Sequence, residues 1–151
     1  MLLRLSASCK GGASVFPVGK AGGKQRVAWN GTRVSLAASK PPPPRNLADP
    51  AAFGMLDIAE TSTLRVTKRD CRTWFDQLSL SDELGSFFGR PALTRAELNS
   101  LGVSDAEIVS LGGDDRASSF FPCYKVWPMG FAWSSCIAQD VAWGLLSLRV
   151  V

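Results

Sequence analysis

The chain has 151 residues, 46% hydrophobic and 20% charged, the balance of a globular protein with a modest core and not of a disordered tail. It contains no histidine, which removes Ser-His and Cys-His nucleophile pairs, imidazole bases and every zinc site that needs a His ligand. The net charge of +4 hides an asymmetry: residues 1–45 hold eight basic side chains and no acid, and the remainder holds nine basic against thirteen acidic.

A basic first third favours a polyanionic partner, or forms a solvated basic surface. Its start, MLLRLSASCKGG (1–12), reads as a targeting leader or an arbitrary beginning. Next, ASVFPVG (13–19) and QRVAWN (25–30) are short apolar runs joined by Lys20-Ala-Gly-Gly-Lys24, which predicts a hairpin. Lys40-Pro-Pro-Pro-Pro-Arg45 is held extended by its prolines and reads as a stiff connector. Asp49-Pro50 then offers an N-cap and a first helical position to a short helix, with Phe53, Met55 and Leu56 as its inward face.

LRVTKRD (64–70) alternates apolar and polar residues, which predicts a strand ending at Asp70. Ser81-Asp-Glu opens a helix toward Phe88, and Thr94-x-x-Glu97 and Ser104-x-x-Glu107 both have capping-box spacing. SFFPCYKV (119–126) is aromatic and β-prone, with Pro122 suggesting an edge strand or a strand entrance. From Phe131 to about Arg149 the spacing of Phe131, Ser134, Ser135, Ala138, Ala142 and Leu145 predicts a helix. No apolar run approaches the roughly 20 residues that cross a bilayer, so a soluble protein without a membrane partner is expected. The four cysteines lack C-x-x-C spacing and suit packing thiols of an intracellular protein.

Two segments carry more than a fold pattern: KRDCRTWFDQL, a strand ending on an aspartate with an aromatic five positions on, and YKVWPMGFAWSSCIAQ, a Pro-x-Gly turn followed by small residues and a Gln nine positions after the Gly. Together with VFPVGKAGGKQRVAWNGTRVS upstream, they resemble, in order, the fingers hairpin, the first catalytic-Asp motif and the Pro-x-Gly motif of reverse transcriptases encoded by retroelements. The resemblance covers most of residues 15–145. It departs from the family pattern at Asn30, where an acid is frequent, and at the basic Cys71-Arg72.

The resemblance implies an α+β fold, a partial fingers and palm of a right-hand polymerase with an incomplete palm sheet. It divides the chain into the start at 1–12, the fingers hairpin with connector and short helix at 13–62, the first palm strand at 63–80, a second fingers segment at 81–127, and the Pro-x-Gly turn with the palm helix at 128–151. The implied activity is RNA-directed DNA synthesis, with an RNA or DNA template-primer and a dNTP as partners and Mg2+ as cofactor. Asp70 would be the catalytic metal ligand and Phe75 the gate against a ribose 2′-hydroxyl. Lys24 and Arg26 would reach the triphosphate, with Met129 and Gly130 beside the nucleotide and Pro128, Ser134 and Gln139 near the template.

Gly112-Gly113-Asp114-Asp115 precedes the Pro-x-Gly helix, whereas the family's paired aspartates follow it, so these residues read as a solvated loop. After Gln139 only Asp140 is acidic, so a fragment without the paired-aspartate hairpin, inactive alone, is expected. The alternatives are a small non-enzymatic nucleic-acid-binding module with Trp29, Trp74 or Trp127 as stacking surfaces, and a degraded element product without function.

Overall fold

Strand β1 (Leu3–Ser6) pairs antiparallel with β5 (Ser119–Tyr124), placing Leu5 opposite Pro122 and Arg4 opposite Cys123. The first residues of the chain, expected to be a leader or an arbitrary start, thus supply an edge strand. The computed structural model describes residues 2–43, 50–66 and 70–148. They form a small mixed α+β fold with two small antiparallel sheets, one of three strands with β5 at its centre and the other a two-stranded hairpin.

The hairpin is β2 (Val15–Gly19) and β3 (Gln25–Trp29), joined across Lys20–Lys24 as the two-glycine turn predicts. Gly22 and Gly23 both have positive φ there, the conformation that glycine adopts without strain. The six-residue helix α1 (Thr32–Ala37) follows directly. Ser81 caps α2 (Asp82–Gly85) through its side chain. The two-residue strand β4 (Leu93–Thr94) leads into α3 (Arg95–Ser100), with α4 (Asp105–Ser110) beyond it. Both predicted capping boxes are formed: Thr94 and Glu97, and Ser104 and Glu107, exchange side-chain and backbone hydrogen bonds.

The main core gathers Leu5 from β1, Leu98 from α3, Ile108 from α4 and Phe120 from β5, with Leu93, Val103 and Leu111 packed around it. Each such side chain contributes about 1.5–3 kcal/mol by leaving water. Arg95 pins this unit from outside. Its guanidinium binds Asp105 at 2.7 Å and the carbonyls of Asp114 and Asp115 at 2.9 and 2.8 Å, and it lies over the Phe120 ring. The Gly112–Asp115 loop is therefore the C-terminal cap of α4, with Gly112 at φ +89° and the Gly113 N–H bonded to the Ile108 carbonyl, and both aspartates are exposed.

Three expectations require correction. Pro122 lies in the central strand of its sheet, not at an edge. It sits beyond the two residues that β4 pairs, where its carbonyl accepts the Arg90 N–H at 2.9 Å and no ladder needs its missing N–H. Leu64–Val66 and Asp70 lie in no strand, and Thr67–Arg69 fall outside the described residues. Leu64 and Val66 are 50% and 64% exposed, so the alternation there has no sheet face to bury against. The short helix is a 3-10 segment, Pro50–Met55, with Met55 83% exposed and Leu56 exposed as well, so these two residues form no inward face. Asp49 and the end of the four-proline connector, Pro44 and Arg45, fall outside the described residues. The last predicted helix is present as α5 (Ser134–Ser147).

Candidate nucleotide and nucleic-acid site

Beyond β5, Lys125–Trp127 runs alongside Leu78–Leu80: Leu80 N–H donates to the Lys125 carbonyl and Trp127 N–H to the Leu78 carbonyl. This extension delivers the chain into the Pro128-Met129-Gly130 turn. Pro128 is fully buried, and its carbonyl accepts hydrogen bonds from the Phe131 N–H at 3.3 Å and the Ser134 hydroxyl at 2.7 Å. Gly130 has φ +110°, and a Cβ there would stand 2.7 Å from the Trp29 carbonyl oxygen. The turn therefore presses backbone against the base of the β2–β3 hairpin, an approach that only glycine permits.

Two further bonds tie the start of α5 to α1 and the residues after it. The Ala132 N–H donates to the Ser35 hydroxyl at 3.1 Å, and the Trp133 indole N–H donates to the Ser39 carbonyl at 2.6 Å. Between α1 and the turn lies a cleft lined by Thr32, Ser35, Leu36, Lys40, Gly130 and Ser135. Under it, Trp29, Phe88, Tyr124, Trp127 and Phe131 form a chain of ring contacts, with Phe88 and Phe131 centroids 4.8 Å apart and Trp127 stacked on Phe131. This aromatic cluster joins hairpin, β5 and turn.

The structure brings together the three segments that carry the family resemblance. The hairpin base meets the turn, and the 3-10 helix Trp74–Gln77, which contains Phe75, packs on α5, where the Trp74 indole N–H donates to the Ala138 carbonyl at 3.3 Å. Phe75 is half-buried and Asp70 exposed. Lys24 and Arg26 are exposed toward the hairpin tip, while the turn contacts its base. Met129 is exposed and Gln139 half-buried. Pro128 and Ser134 were expected near the template, but both are buried and bonded to each other, so their work is to shape the turn. Ser135, one position on, is exposed in the cleft instead.

Of the tryptophans expected to offer stacking surfaces, Trp29 requires correction. Trp29 is only 4% exposed, with its indole N–H donating to the Gly89 carbonyl, and Trp74 and Trp127 are half-buried in packing contacts. Sequence reasoning missed a second group of cations, Lys10, Arg33 and Arg90, which share a cleft on another face of α1. Two of them belong to the acid-free first third, but nothing local marks Arg90. No family model matches the chain, and no curated protein matches it.

Proposed function

We propose that the chain is a portion of a retroelement-type reverse transcriptase, its α+β fold being a partial fingers and palm of a right-hand polymerase. The observation that supports this is the meeting of the three resembling segments around one glycine turn: hairpin base on Gly130, and the Phe75-bearing 3-10 helix on α5. Residues 60 to 100 positions apart in sequence come together there, although each segment was singled out by its own local pattern.

On this proposal the partners are an RNA or DNA template-primer and a dNTP. The exposed cations Lys24 and Arg26 hold the triphosphate, where fixed positive charge offsets phosphate charge at little reorganisation cost. Exposed Met129 and the backbone of Gly130 stand beside the nucleotide, and Phe75 sets the room left beside the sugar. Ser135 and Gln139 are the polar groups of α5 available to a template.

Magnesium-dependent nucleotidyl transfer needs a cluster of carboxylates around the ions. Among the described residues, no three His, Cys, Asp or Glu side chains come together, and Asp70 stands exposed. The residues present do not fit a complete two-metal site, so no transfer step is derived within this chain, and its proposed role is to bind and orient nucleotide and template.

The test is primer extension with magnesium by the chain alone and by the chain joined to a segment supplying an apolar-flanked aspartate pair. The chain alone is expected to incorporate nothing. The joined protein is expected to extend, and to lose extension in Asp70→Asn. Extension that survives Asp70→Asn would sink the assignment of that carboxylate, and templated incorporation by the chain alone would sink the proposal of an incomplete site.

A further inference from the structure

We propose that the cleft bounded by Lys10, Arg33 and Arg90 is a groove for the phosphodiester backbone of a single-stranded nucleic acid, separate from the Pro-x-Gly turn. The cleft lies between the Cys9–Ser14 segment, one face of α1 and the Phe87–Pro91 segment, and no acidic residue lines it. The other face of α1, through Thr32, Ser35 and Leu36, belongs to the cleft at the turn. Helical spacing explains the division: Arg33 and Ala37 are one turn apart on one side, whereas Thr32 and Ser35 share another.

Two of the three cations are held in place before any ligand arrives. The N–H groups of Lys10 and Gly11 both donate to the Ser86 carbonyl, and the Ala13 N–H donates to the Gly89 carbonyl, so the 10–13 backbone is laced onto the segment after α2. Gly11 lets it lie that close, because a Cβ there would stand 2.8 Å from the Phe87 carbonyl oxygen. The Lys10 ammonium lies 5.3 Å from the centroid of the Phe87 ring. Arg90 donates to the Tyr124 hydroxyl at 2.8 Å and lies over that ring. Arg33 is exposed on α1.

Among the described residues the ion pairs are Arg4–Asp82 and Arg95–Asp105, so none of the three cleft cations is neutralised by a carboxylate. Three positive side chains lining one concavity raise the local potential and favour a polyanion. A strand backbone suits them better than a lone phosphate because they stand on three separate segments and because Phe87, 39% exposed, adds an aromatic surface at the rim. Cations along a groove beside an exposed ring are the combination that binds single strands without reading sequence. This inference does not rest on the polymerase proposal: it needs no carboxylate and no triphosphate contact.

The experiment is fluorescence anisotropy of labelled short oligo(dT) and oligo(U) on the full chain, across a salt series. Arg33→Glu and Lys10→Glu are each expected to weaken binding about tenfold, and removing one phosphate contact lowers the salt slope by about 0.7. Arg116→Glu, the same charge change at an exposed loop outside the cleft, is expected to leave affinity within about twofold. Far-ultraviolet circular dichroism checks that each variant is folded, with the milder Arg33→Gln replacing any that is not. Equal losses for Arg33→Glu and Arg116→Glu would overturn the groove in favour of bulk charge. So would binding of inorganic tripolyphosphate or polyglutamate in place of the oligonucleotides. Retained oligonucleotide binding with no incorporation in a completed polymerase would overturn the polymerase proposal and leave this one standing.

Discussion

Gly130→Ala tests whether the turn is built by backbone contact. The added Cβ would lie 2.7 Å from the Trp29 carbonyl oxygen, against an ordinary carbon-to-oxygen approach of about 3.3 Å, so roughly 0.6 Å must be found. Trp29 cannot yield easily, because its ring is buried and its indole is bonded to Gly89. The backbone at φ +110° adds a conformational cost on the order of 1–3 kcal/mol for any residue with a side chain. Overpacking contributes about 1–3 kcal/mol more, so the sum is roughly 2–6 kcal/mol. With a urea slope of about 1–3 kcal/mol per molar, the unfolding midpoint should fall by at least roughly 0.7 M, or the fold should be lost. Gly144→Ala is the matched control. It lies in α5 with no atom within 4 Å of the added Cβ, and should gain about 0.5–1 kcal/mol. Tryptophan fluorescence in a urea titration reads both variants. A Gly130→Ala midpoint at or above that of the unaltered chain would refute the contact between turn and hairpin.

Burial, with the Cys9 thiol beside it, pushes the Cys123 thiol from 9.0 up to about 11. A raised thiol value means stability that is complete below pH 9 and lost as pH rises toward 11, worth about 2–3 kcal/mol, so Cys123→Ala should flatten the fall of the urea midpoint across that window. Glu97 and Glu107 are held below the usual carboxylate range, chiefly by the backbone N–H groups of Thr94 and Ser104. Their contribution is present above pH 4.5 and lost as pH falls through the lowered values. The double variant Glu97→Gln, Glu107→Gln should therefore be less stable at neutral pH and lose less on acidification, as read by thermal unfolding at pH 7 and pH 3. In a polymerase completed with its aspartate pair, Phe75→Val should admit ribonucleotides more readily, and unchanged sugar selectivity in a competition assay would remove the gate role. Ser35→Ala removes the acceptor of the Ala132 N–H and should cost about 1 kcal/mol in urea while also weakening oligonucleotide binding through Arg33; unchanged oligonucleotide affinity would separate α1 from the groove.

What the sequence made legible was local. The hairpin follows from two glycines between apolar runs, the capping boxes from a three-residue spacing, and α5 from its period. Strand β1 alternates apolar and polar over Leu3–Ser6, but four residues are too few to mark a strand, and its partner lies over a hundred residues away. The alternation at 64–70 resembles a strand, yet a period of two specifies only which side chains share a face, and here no sheet receives them. Pro122 misled for the opposite reason: local rules forbid a missing N–H in a paired strand, but beyond β4 the 88–90 segment bonds to β5 through the Pro122 carbonyl and the Tyr124 N–H, not through an N–H at 122. At the site, the Pro-x-Gly turn was legible, but not that Gly130 presses on the Trp29 carbonyl, nor the direction of Ser134. A small polar residue at a helix start can face solvent or cap a buried carbonyl, and only the position of Pro128 decides between them.

Helix α1 is where these local and long-range terms meet. Six residues preceded by Gly31, with no side-chain cap on it, would not persist as an isolated helix, since nucleation is costly and few hydrogen bonds follow. It persists because Ser35 and Ser39 are tied to Ala132 and Trp133, the residues that follow the glycine turn. The strain-sensitive contact of Gly130 with Trp29 therefore holds more than the turn: through the start of α5 it fixes the helix that carries Arg33 into one cleft and Thr32 and Ser35 into the other. The proposed single-strand groove and the proposed nucleotide cleft lie on two faces of α1 and need a constant relation, which a short helix tied to the turn supplies.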